Sequence, residues 1–420
     1  MAKSRPDSTD QERVLLVSGD SHVGPKVVPT LREYCPKKYL TTFDEMLESP
    51  MMQRMRAFRF EFPNLKTRGH DEPDARLADM DRDGVAAEII FHGSFNGEPI
   101  PFQDSGWPNP DNPVLAAAGF QIYNRWLADF CHTAPERLIG LAHLPMWDLK
   151  ASIKELKWAA DQGFRGVNFP ATRPGWKQYD DPCWEPFWAA AEDNAMVLTT
   201  HAGGGADPAS TEKHPSPLFL IEVGGTLNRR PIPRLIIGGV FERHPNLKLA
   251  MTEQPGVWIP YMLSEMDSAA LAVEGVEGKM RQLPSEYFKT NVFVGASFMA
   301  PFEAQAAVED GTWTNLFWGR DYPHPEGTWK YTEDLDEEPL THLSLRNTFA
   351  GLPPDQVRAM VGINALKVYG LDEGKLRAVA DTIGPTMAQI TRPLKSIPDP
   401  DGPEREGMGR FAFRSVGSWA

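Results

Sequence analysis

The chain has 420 residues, of which 41% are hydrophobic and 24% charged, and these proportions are typical of a globular protein with room for a large core. Its formal net charge of −14 at pH 7 argues against nucleic acid or an anionic membrane as a partner, because both are bound through basic patches, and it favours a small-molecule ligand. The N-terminus lacks the apolar core of a signal peptide, no apolar run is long enough to span a membrane, and the cysteines form no metal-binding or disulfide pattern, so we expect a cytoplasmic protein.

Strand-like and helical segments alternate along most of the chain. Residues 1–13 are polar and are predicted to be a disordered lead-in, and residues 24–75 form a long apolar excursion that we expect to be a lid or an interface segment. Strands are predicted at 14–19, 85–93, 138–145, 164–170, 196–201, 247–253, 292–296 and 316–321. Helices are predicted between and after them at 76–84, 113–132, 148–162, 182–194, about 215–239, from 257 onward, 301–309 and 354–368. This alternation indicates parallel βαβ units, and eight strands are the number needed for a closed (β/α)8 TIM barrel, so we predict one barrel domain over residues 14–372.

The C-terminal segment 373–420 differs from the barrel in composition. It begins with a predicted helix, KLRAVADTIG, and then becomes rich in proline and glycine, with too few large apolar residues to form its own core. We expect this extension either to pack on the barrel or a neighbouring subunit through Phe411, Phe413 and Trp419, or to be a loose tail. Together with the apolar stretch at 43–63, it predicts a homo-oligomer or a hetero-oligomer with a related subunit.

Metal-binding side chains follow four of the predicted strands. Asp20 and His22 follow the first strand, His201 the fifth, Glu253 the sixth and Asp321 the eighth. The carboxyl ends of barrel strands converge on one face, where several strands contribute residues to a single site. Two positions separate Asp20 from His22, so both side chains can point to the same side, and the glycines after His201 permit a close approach to a ligand. The pattern predicts a metal centre.

With these residues the chain resembles the amidohydrolase superfamily, and most closely the amidohydrolase-related branch that contains aminocarboxymuconate-semialdehyde decarboxylase and other metal-dependent decarboxylases. The first strand of that branch usually ends in an HxH pair, and this chain has the DxH form Asp20-Ser21-His22. His201 in THAGGG is similar to the family's strand-5 histidine, and Asp321 in GRDYPHPEG to its strand-8 aspartate. Other family-like segments, such as RLADMDRDGV, GFRGVNFP and VGINALKVYGL, extend the resemblance over about residues 14–372. The resemblance implies a metal held by Asp20, His22, His201 and Asp321.

Three residues depart from the family pattern. Asp20 replaces a histidine and makes the site harder, so manganese, iron or magnesium becomes an alternative to zinc, which remains the first expectation. Glu253 stands where many relatives have a histidine, and it could act in proton transfer or bind a second ion. Arg320 stands where a small residue is common, and a fixed cation there would suit a carboxylate substrate.

Further polar residues near the predicted strand ends are candidates for substrate contact and catalysis. His92 ends the second strand and Arg173 follows the fourth, so both are expected, with Arg320, to contact substrate. His324 lies three residues after Asp321 and could hold the loop or a substrate carboxylate, and we count it with Asp321 and Glu253 as a catalytic candidate. His143 on the third strand could point into the barrel.

Two reactions fit such a centre. In hydrolysis, Asp321 would take a proton from metal-bound water; in decarboxylation, the metal would hold the substrate carboxylate while a nearby acid protonates the carbon that loses CO2. Two alternatives stay open: a dinuclear non-haem iron oxygenase, because Asp20, Glu253 and Asp321 with histidines suit iron, and a metal-bound structural subunit of a related catalytic chain.

Overall fold

The computed structural model describes residues 12–50, 52–53, 62–103, 112–172, 175–201, 221, 225, 227–254, 256–273, 280–297, 299–398 and 411–414. Eight strands in these residues form one parallel sheet, in which each strand pairs with the next along the chain. The strands are β1 (Leu16–Ser18), β2 (Val85–His92), β3 (Leu138–His143), β4 (Gly166–Asn168), β5 (Val197–Thr200), β6 (Leu249–Met251), β7 (Val292–Ala296) and β8 (Leu316–Trp318).

The first and last strands meet and close the ring. The Gly19 amide donates to the Trp318 carbonyl at 2.8 Å, and just beyond the strands the Asp321 amide donates to the Asp20 carbonyl at 3.0 Å. A two-residue strand, His22–Val23, continues the β1 segment and pairs with the end of β2. The expected (β/α)8 barrel is therefore confirmed.

Alternate residues of the strands face two different layers. Along β2, Ala87, Ile89 and Phe91 belong to a buried cluster that includes residues of β1, β3, β5, β6 and β8, whereas Ile90 belongs to the larger cluster that contains the surrounding helices. This two-residue period is the side-chain period of a strand. Apolar residues of these strands fill the barrel interior.

Helices surround the sheet. Among the described residues, the first seven are α1 (Leu40–Leu47), α2 (Pro73–Asp83), α3 (Pro113–His132), α4 (Leu149–Asp161), α5 (Glu185–Asp193), α6 (Pro231–Ile237) and α7 (Val240–Arg243). The others are α8 (Trp258–Ala272), α9 (Pro284–Asn291), α10 (Pro301–Asp310), α11 (Leu340–Phe349), α12 (Pro354–Arg358), α13 (Asn364–Tyr369), α14 (Glu373–Ile383) and α15 (Met387–Thr391). A π-helical turn, Ala359–Ile363, joins α12 to α13.

Local signals explain where several helices begin and end. The side chains of Asn112 and Asp148 accept backbone hydrogen bonds at the starts of α3 and α4, which satisfy amides that have no partner within the helix. Gly84 ends α2 with φ of 75°, a conformation that glycine adopts without strain, and the chain enters β2 directly. The sequence did not predict α11, because its buried side chains include Thr341, His342 and Arg346, which weaken the apolar period.

The excursion at 24–75 contains α1 and several short turns and packs on the barrel. Phe43 and Met52 are fully buried, and the Asn64 amide group donates to the carbonyls of His324 and Trp329 in the loop after β8. The segment therefore reaches the face where the strands end. Its predicted role as a lid or an interface segment remains a prediction.

The described parts of the C-terminal extension pack on the same chain. The Val14 amide donates to the Pro385 carbonyl at 2.8 Å, so the segment after α14 lies beside the start of β1. Phe413 is buried in a small cluster with Leu340, and Ser344 Oγ donates to the Ala412 carbonyl at 2.7 Å. Trp419 and residues 1–11 of the predicted lead-in 1–13 lie outside the described residues. Among the residues that the structure describes, no helix combines the length and the apolar character needed to cross a membrane.

Candidate metal centre

Four side chains converge above the ends of β1, β5 and β8. His22 Nε2 lies 3.3 Å from Asp20 Oδ1, 3.1 Å from Asp321 Oδ1 and 3.2 Å from His201 Nε2. His201 Nε2 lies 3.5 Å from Asp20 Oδ1. The structure thus brings together the four residues that the sequence predicts as ligands.

The spacing of these atoms fits a bound divalent ion. Ligands about 2.1 Å from a tetrahedral ion lie about 3.4 Å from one another, and the measured separations are 3.1 to 3.5 Å. Asp20 Oδ1 and Asp321 Oδ2 are buried and have no hydrogen-bond partner among the described residues, and Asp321 Oδ1 is buried next to His324 Nδ1. An unpaired buried carboxylate is costly, and a cation removes that cost. The residues present therefore fit a metal ion.

Neighbouring groups orient the ligands. His22 Nδ1 lies 3.2 Å from the His92 carbonyl and donates to it, which leaves Nε2 free to bind a metal. Ser297 Oγ donates to Asp20 Oδ2 at 2.6 Å, which turns Oδ1 toward the two histidines. Burial by itself would raise the pKa of Asp20, but the His201 and His22 rings outweigh it and hold that pKa well below its usual range. Asp20 is therefore ionised.

Glu253 adjoins the cluster through His201. Its Oε2 lies 3.5 Å from His201 Nδ1, the ring nitrogen that does not face Asp20. Burial raises the pKa of Glu253 well above its usual range, and the nearby Asp321 and Asp20 carboxylates raise it further, although His201 opposes them. Carboxylate oxygens of Asp20, Glu253 and Asp321 also lie within 4.8 Å of one another, so Glu253 is placed both to orient His201 and to bind a second ion.

His324 lies on the other side of the cluster. Its ring stacks on His22 with centroids 3.9 Å apart, and its Nε2 donates to the Gly93 carbonyl at 2.6 Å. The other nitrogen, Nδ1, lies 2.9 Å from Asp321 Oδ1. Burial disfavours the charged ring, but the Asp321 carboxylate outweighs burial and raises the pKa of His324 to about 9. His324 can therefore hold a proton next to Asp321.

Two of the site residues have an unusual backbone. Asp321 has φ of 52° and Glu253 has φ of 57°, in the left-handed region that few residues other than glycine adopt. Such conformations persist only where the surrounding structure enforces them, and they concentrate at functional sites. Glu253 lies two residues after β6 and Asp321 lies three residues after β8, so the turn after each strand sets the direction of the carboxylate.

Arg320 is a correction to the sequence prediction. Its guanidinium is fully buried, with Nε donating to Glu88 Oε1 at 2.5 Å and Nη1 to Asp83 Oδ2 at 3.0 Å. Arg76 Nε donates to the second Glu88 oxygen at 2.7 Å. These four side chains form a buried network of two cations and two anions between α2, β2 and β8. An arginine already held by two carboxylates is not a free cation for a substrate, so the contacts do not support that expected role.

The remaining candidates have different outcomes. His92 lies at the end of β2 beside His22, on the face where substrate contact was expected. Arg173 lies outside the described residues. Sequence reasoning missed Ser297, which orients Asp20, although its position one residue after β7 follows the same strand-end pattern as the ligands.

The fold and the site together define a barrel enzyme with a candidate metal centre at the carboxyl ends of its strands. The family described as Amidohydrolase matches residues 36–371. The chain therefore belongs to the amidohydrolase family, as its sequence motifs predict.

Three similar proteins carry decarboxylase names. The 2-amino-3-carboxymuconate-6-semialdehyde decarboxylase of Dictyostelium discoideum is 25% identical over 314 residues, which cover 72% of this chain and 78% of that protein. The gamma-resorcylate decarboxylase of Rhodococcus jostii (strain RHA1) is 30% identical over 247 residues, which cover 56% of this chain and 71% of that protein. The fold is also similar to a dihydroxybenzoic acid decarboxylase from Polaromonas sp. JS666, solved with manganese and the inhibitor 2-nitroresorcinol, with a TM-score of 0.56, 17% identity and coverage of 86% of this chain and 99% of that one.

Proposed function

We propose that this chain is a metal-dependent decarboxylase of small carboxylated aromatic or unsaturated acids. The observation that carries the proposal is the convergence of Asp20, His22, His201 and Asp321, with Asp20 Oδ1 and Asp321 Oδ2 buried and unpaired among the described residues. The decarboxylase relatives support this reaction over hydrolysis. No specific observation favours the oxygenase or the structural subunit.

Asp20, His22, His201 and Asp321 would hold one divalent ion. Bound there, the ion would supply the positive charge that holds a substrate carboxylate and a neighbouring oxygen. Asp20 makes manganese a strong alternative to zinc, and the manganese in the Polaromonas protein supports testing both.

The protein's own residues would manage the proton. When the bond to the departing CO2 breaks, the substrate carbon keeps the electron pair and takes up one proton. We assign this transfer to Asp321, because its Oδ1 faces His22 while its Oδ2 has no partner among the described residues. His324, 2.9 Å from Asp321 Oδ1, would return the proton to Asp321, and Glu253 would orient His201.

The test is turnover by the metal-loaded protein. Gamma-resorcylate and a panel of other carboxylated aromatic acids are incubated with protein reconstituted with manganese or zinc, and released CO2 and the decarboxylated product are measured. We expect at least one acid to lose CO2 in the wild type and none in Asp321→Asn. Ester and amide derivatives of the same acids form the control. Hydrolysis of these derivatives without CO2 release from any acid would contradict the proposal.

The variant Glu253→Gln decides between the two roles of that residue. If Glu253 orients His201, the variant keeps its metal content and loses turnover. Loss of one of two bound ions would make Glu253 a ligand and the centre dinuclear. Metal content is measured by elemental analysis of protein purified without chelator.

A further inference from the structure

The imidazole ring of His324 lies between two other rings. It stacks on His22 with centroids 3.9 Å apart and planes tilted by 18°, and on Phe95 with centroids 4.0 Å apart and planes tilted by 20°. Two nearly parallel rings at these distances cannot occupy the same face, so one covers each face of His324. The His324 ring therefore cannot turn about its Cβ–Cγ bond without displacing one of its neighbours.

The turn after β2 holds His324 in two ways. The Gly93 carbonyl of this turn accepts a hydrogen bond of 2.6 Å from His324 Nε2. Phe95, two residues further along, contributes the stacked ring. The hydrogen bond fixes one edge of the imidazole and the ring fixes its plane, so the opposite nitrogen, Nδ1, is directed at Asp321 Oδ1, 2.9 Å away.

The turn itself is braced against the excursion at 24–75. Asn96 Nδ2 donates to the Gly24 carbonyl at 2.6 Å, and Asn96 Oδ1 accepts from the Glu98 amide at 3.2 Å. Glu98 Oε2 accepts from the Val27 amide at 2.8 Å. These bonds join both halves of the turn to the start of the excursion, so the position of the Phe95 ring is fixed by the surrounding structure.

The backbone of Phe95 is in a conformation that an aromatic residue rarely adopts. Its φ is 59°, in the left-handed region, which costs a residue with a side chain roughly 1–2 kcal/mol. The side chain is 36% exposed, so it recovers less free energy by burial than a core phenylalanine does. Backbone strain of this kind concentrates at functional sites. An aromatic residue here is therefore explained by what its ring does for His324.

We infer that Phe95 is a positioning residue, which holds the His324 imidazole with Nδ1 directed at Asp321. The inference rests on the proposed function, in which His324 returns a proton to Asp321. Half a turn of the imidazole about its Cβ–Cγ bond would put a carbon where Nδ1 now lies, and the hydrogen bond to Asp321 would be lost. By covering the second face of the ring, Phe95 prevents this rotation.

The first test is steady-state turnover by metal-loaded variants. Phe95→Leu keeps an apolar side chain without β-branching but removes the flat face. A misplaced catalytic or supporting group typically lowers the rate by about 10- to 100-fold, so we expect kcat to fall by that factor, with KM and metal content nearly unchanged. Phe95→Tyr keeps the ring and should have a kcat close to that of the wild type.

Two controls separate positioning from general stability. Phe102→Leu makes the same change at a residue with φ of 60°, whose ring packs on Tyr39 and Phe43. It should lower the thermal unfolding temperature without lowering kcat. In a His324→Asn background, Phe95→Leu should cause no further fall in kcat, because residues that act through one group are not additive.

Several results would overturn the inference. They are a Phe95→Leu variant with the kcat of the wild type, an equal loss in Phe102→Leu or Phe95→Tyr, and a further loss in the His324→Asn background. A higher KM with unchanged kcat would make Phe95 a substrate contact instead.

A crystal structure of metal-loaded Phe95→Leu tests the same inference without turnover. We expect the His324 ring to be rotated or displaced, with Nδ1 beyond hydrogen-bond distance of Asp321. An unmoved ring would refute the positioning role. A displaced ring in a protein whose wild type releases CO2 from no acid would refute the proposed reaction and leave the positioning role standing.

Discussion

Two clusters of buried ionisable side chains lie next to each other in this barrel, and their buried charges are balanced in different ways. In the charge network, Arg76 and Arg320 are paired with Glu88 and Asp83, so the charges balance within the protein. In the metal centre, Asp20 and Asp321 keep buried oxygens without hydrogen-bond partners among the described residues. Burial and charged residue types are common to both clusters. The unbalanced charge of the second is what indicates an external cation.

The two clusters share a strand end. Arg320 and Asp321 are consecutive residues after β8, yet the guanidinium of the first joins the network and the carboxylate of the second joins the metal centre. Their opposite directions accompany the turn after β8, in which Asp321 has φ of 52°. Substitutions in the two clusters should therefore have separable effects.

The largest expected effect is on the metal centre. Asp321→Asn removes a ligand charge, and His201→Ala opens the coordination sphere. Because metal charge stabilisation contributes several kcal/mol, we expect turnover to fall by about three orders of magnitude or more in each variant, with loss or misplacement of the ion. Metal analysis and turnover measure this, with His132→Ala as a control at an exposed histidine outside the site. Full metal occupancy and full activity in both variants would mean that the ligand assignment is wrong.

The next effect falls on folding stability. Glu88→Gln leaves two buried arginines with one carboxylate fewer, and breaking a buried pair in this way typically costs about 3–5 kcal/mol. Urea unfolding should show this loss, while metal content per folded chain stays unchanged. Glu286→Gln, which breaks an exposed pair with Lys289, should cost less than about 1 kcal/mol. A Glu88→Gln variant as stable as the wild type would show that the two buried arginines do not require the charge of Glu88.

Metal removal should distinguish the two clusters without any substitution. A ligand at a hundred times its dissociation constant stabilises the folded state by about 2.7 kcal/mol, so chelation should lower the free energy of unfolding by about that amount. Metal ligands must be deprotonated, so the difference between metal-bound and metal-free protein should shrink as the pH falls. Thermal unfolding with and without chelator measures it. If chelation lowered the stability of Asp321→Asn as much as that of the wild type, the ion would be bound elsewhere.

The smallest effect concerns a single hydroxyl. Ser297→Ala removes the donor that fixes Asp20, and loss of such a supporting contact typically lowers metal affinity by about 10- to 100-fold. Competition with a chromogenic chelator measures the affinity. Ser344→Ala also deletes a buried hydroxyl, in this case one bonded to the Ala412 carbonyl, and it should leave metal affinity unchanged. An equal change in both variants would indicate a general loss of stability.

The sequence was sufficient to predict the barrel and the convergence of the four candidate ligands, because both depend on local order along the chain. Each ligand directly follows an apolar strand, and parallel strands bring their ends together whatever the intervening loops contain. Arg320 was misassigned for the opposite reason. Its partners, Glu88 on β2 and Asp83 on α2, are more than 200 positions away in the chain, and no local pattern shows that an arginine is already paired.

Other parts of the site carry no strong sequence signal. Ser297 resembles any serine at the end of a strand, and only its 2.6 Å contact with Asp20 gives it a role. Phe95 lies in a turn, where an aromatic residue follows no periodic pattern, and its stacking on His324 is visible only in three dimensions. Glu253 was identified by position, yet its role depends on how many ions the centre holds.

The junction between the first and last strands, here called the seam, gives the candidate metal ligands a structural role as well. The hydrogen bonds that close the ring run through the backbones of Gly19, Asp20, His22, Asp321 and Tyr322, so the residues that present the ligands also join chain segments about 300 residues apart. Bringing such distant segments together costs chain entropy. A cation bound by ligands after β1 and after β8 would stabilise the contact between these two segments. In the metal-free protein the barrel should therefore open first along this seam. Amide hydrogen exchange at Gly19, His22 and Asp321 should then accelerate more than exchange within β3 to β5.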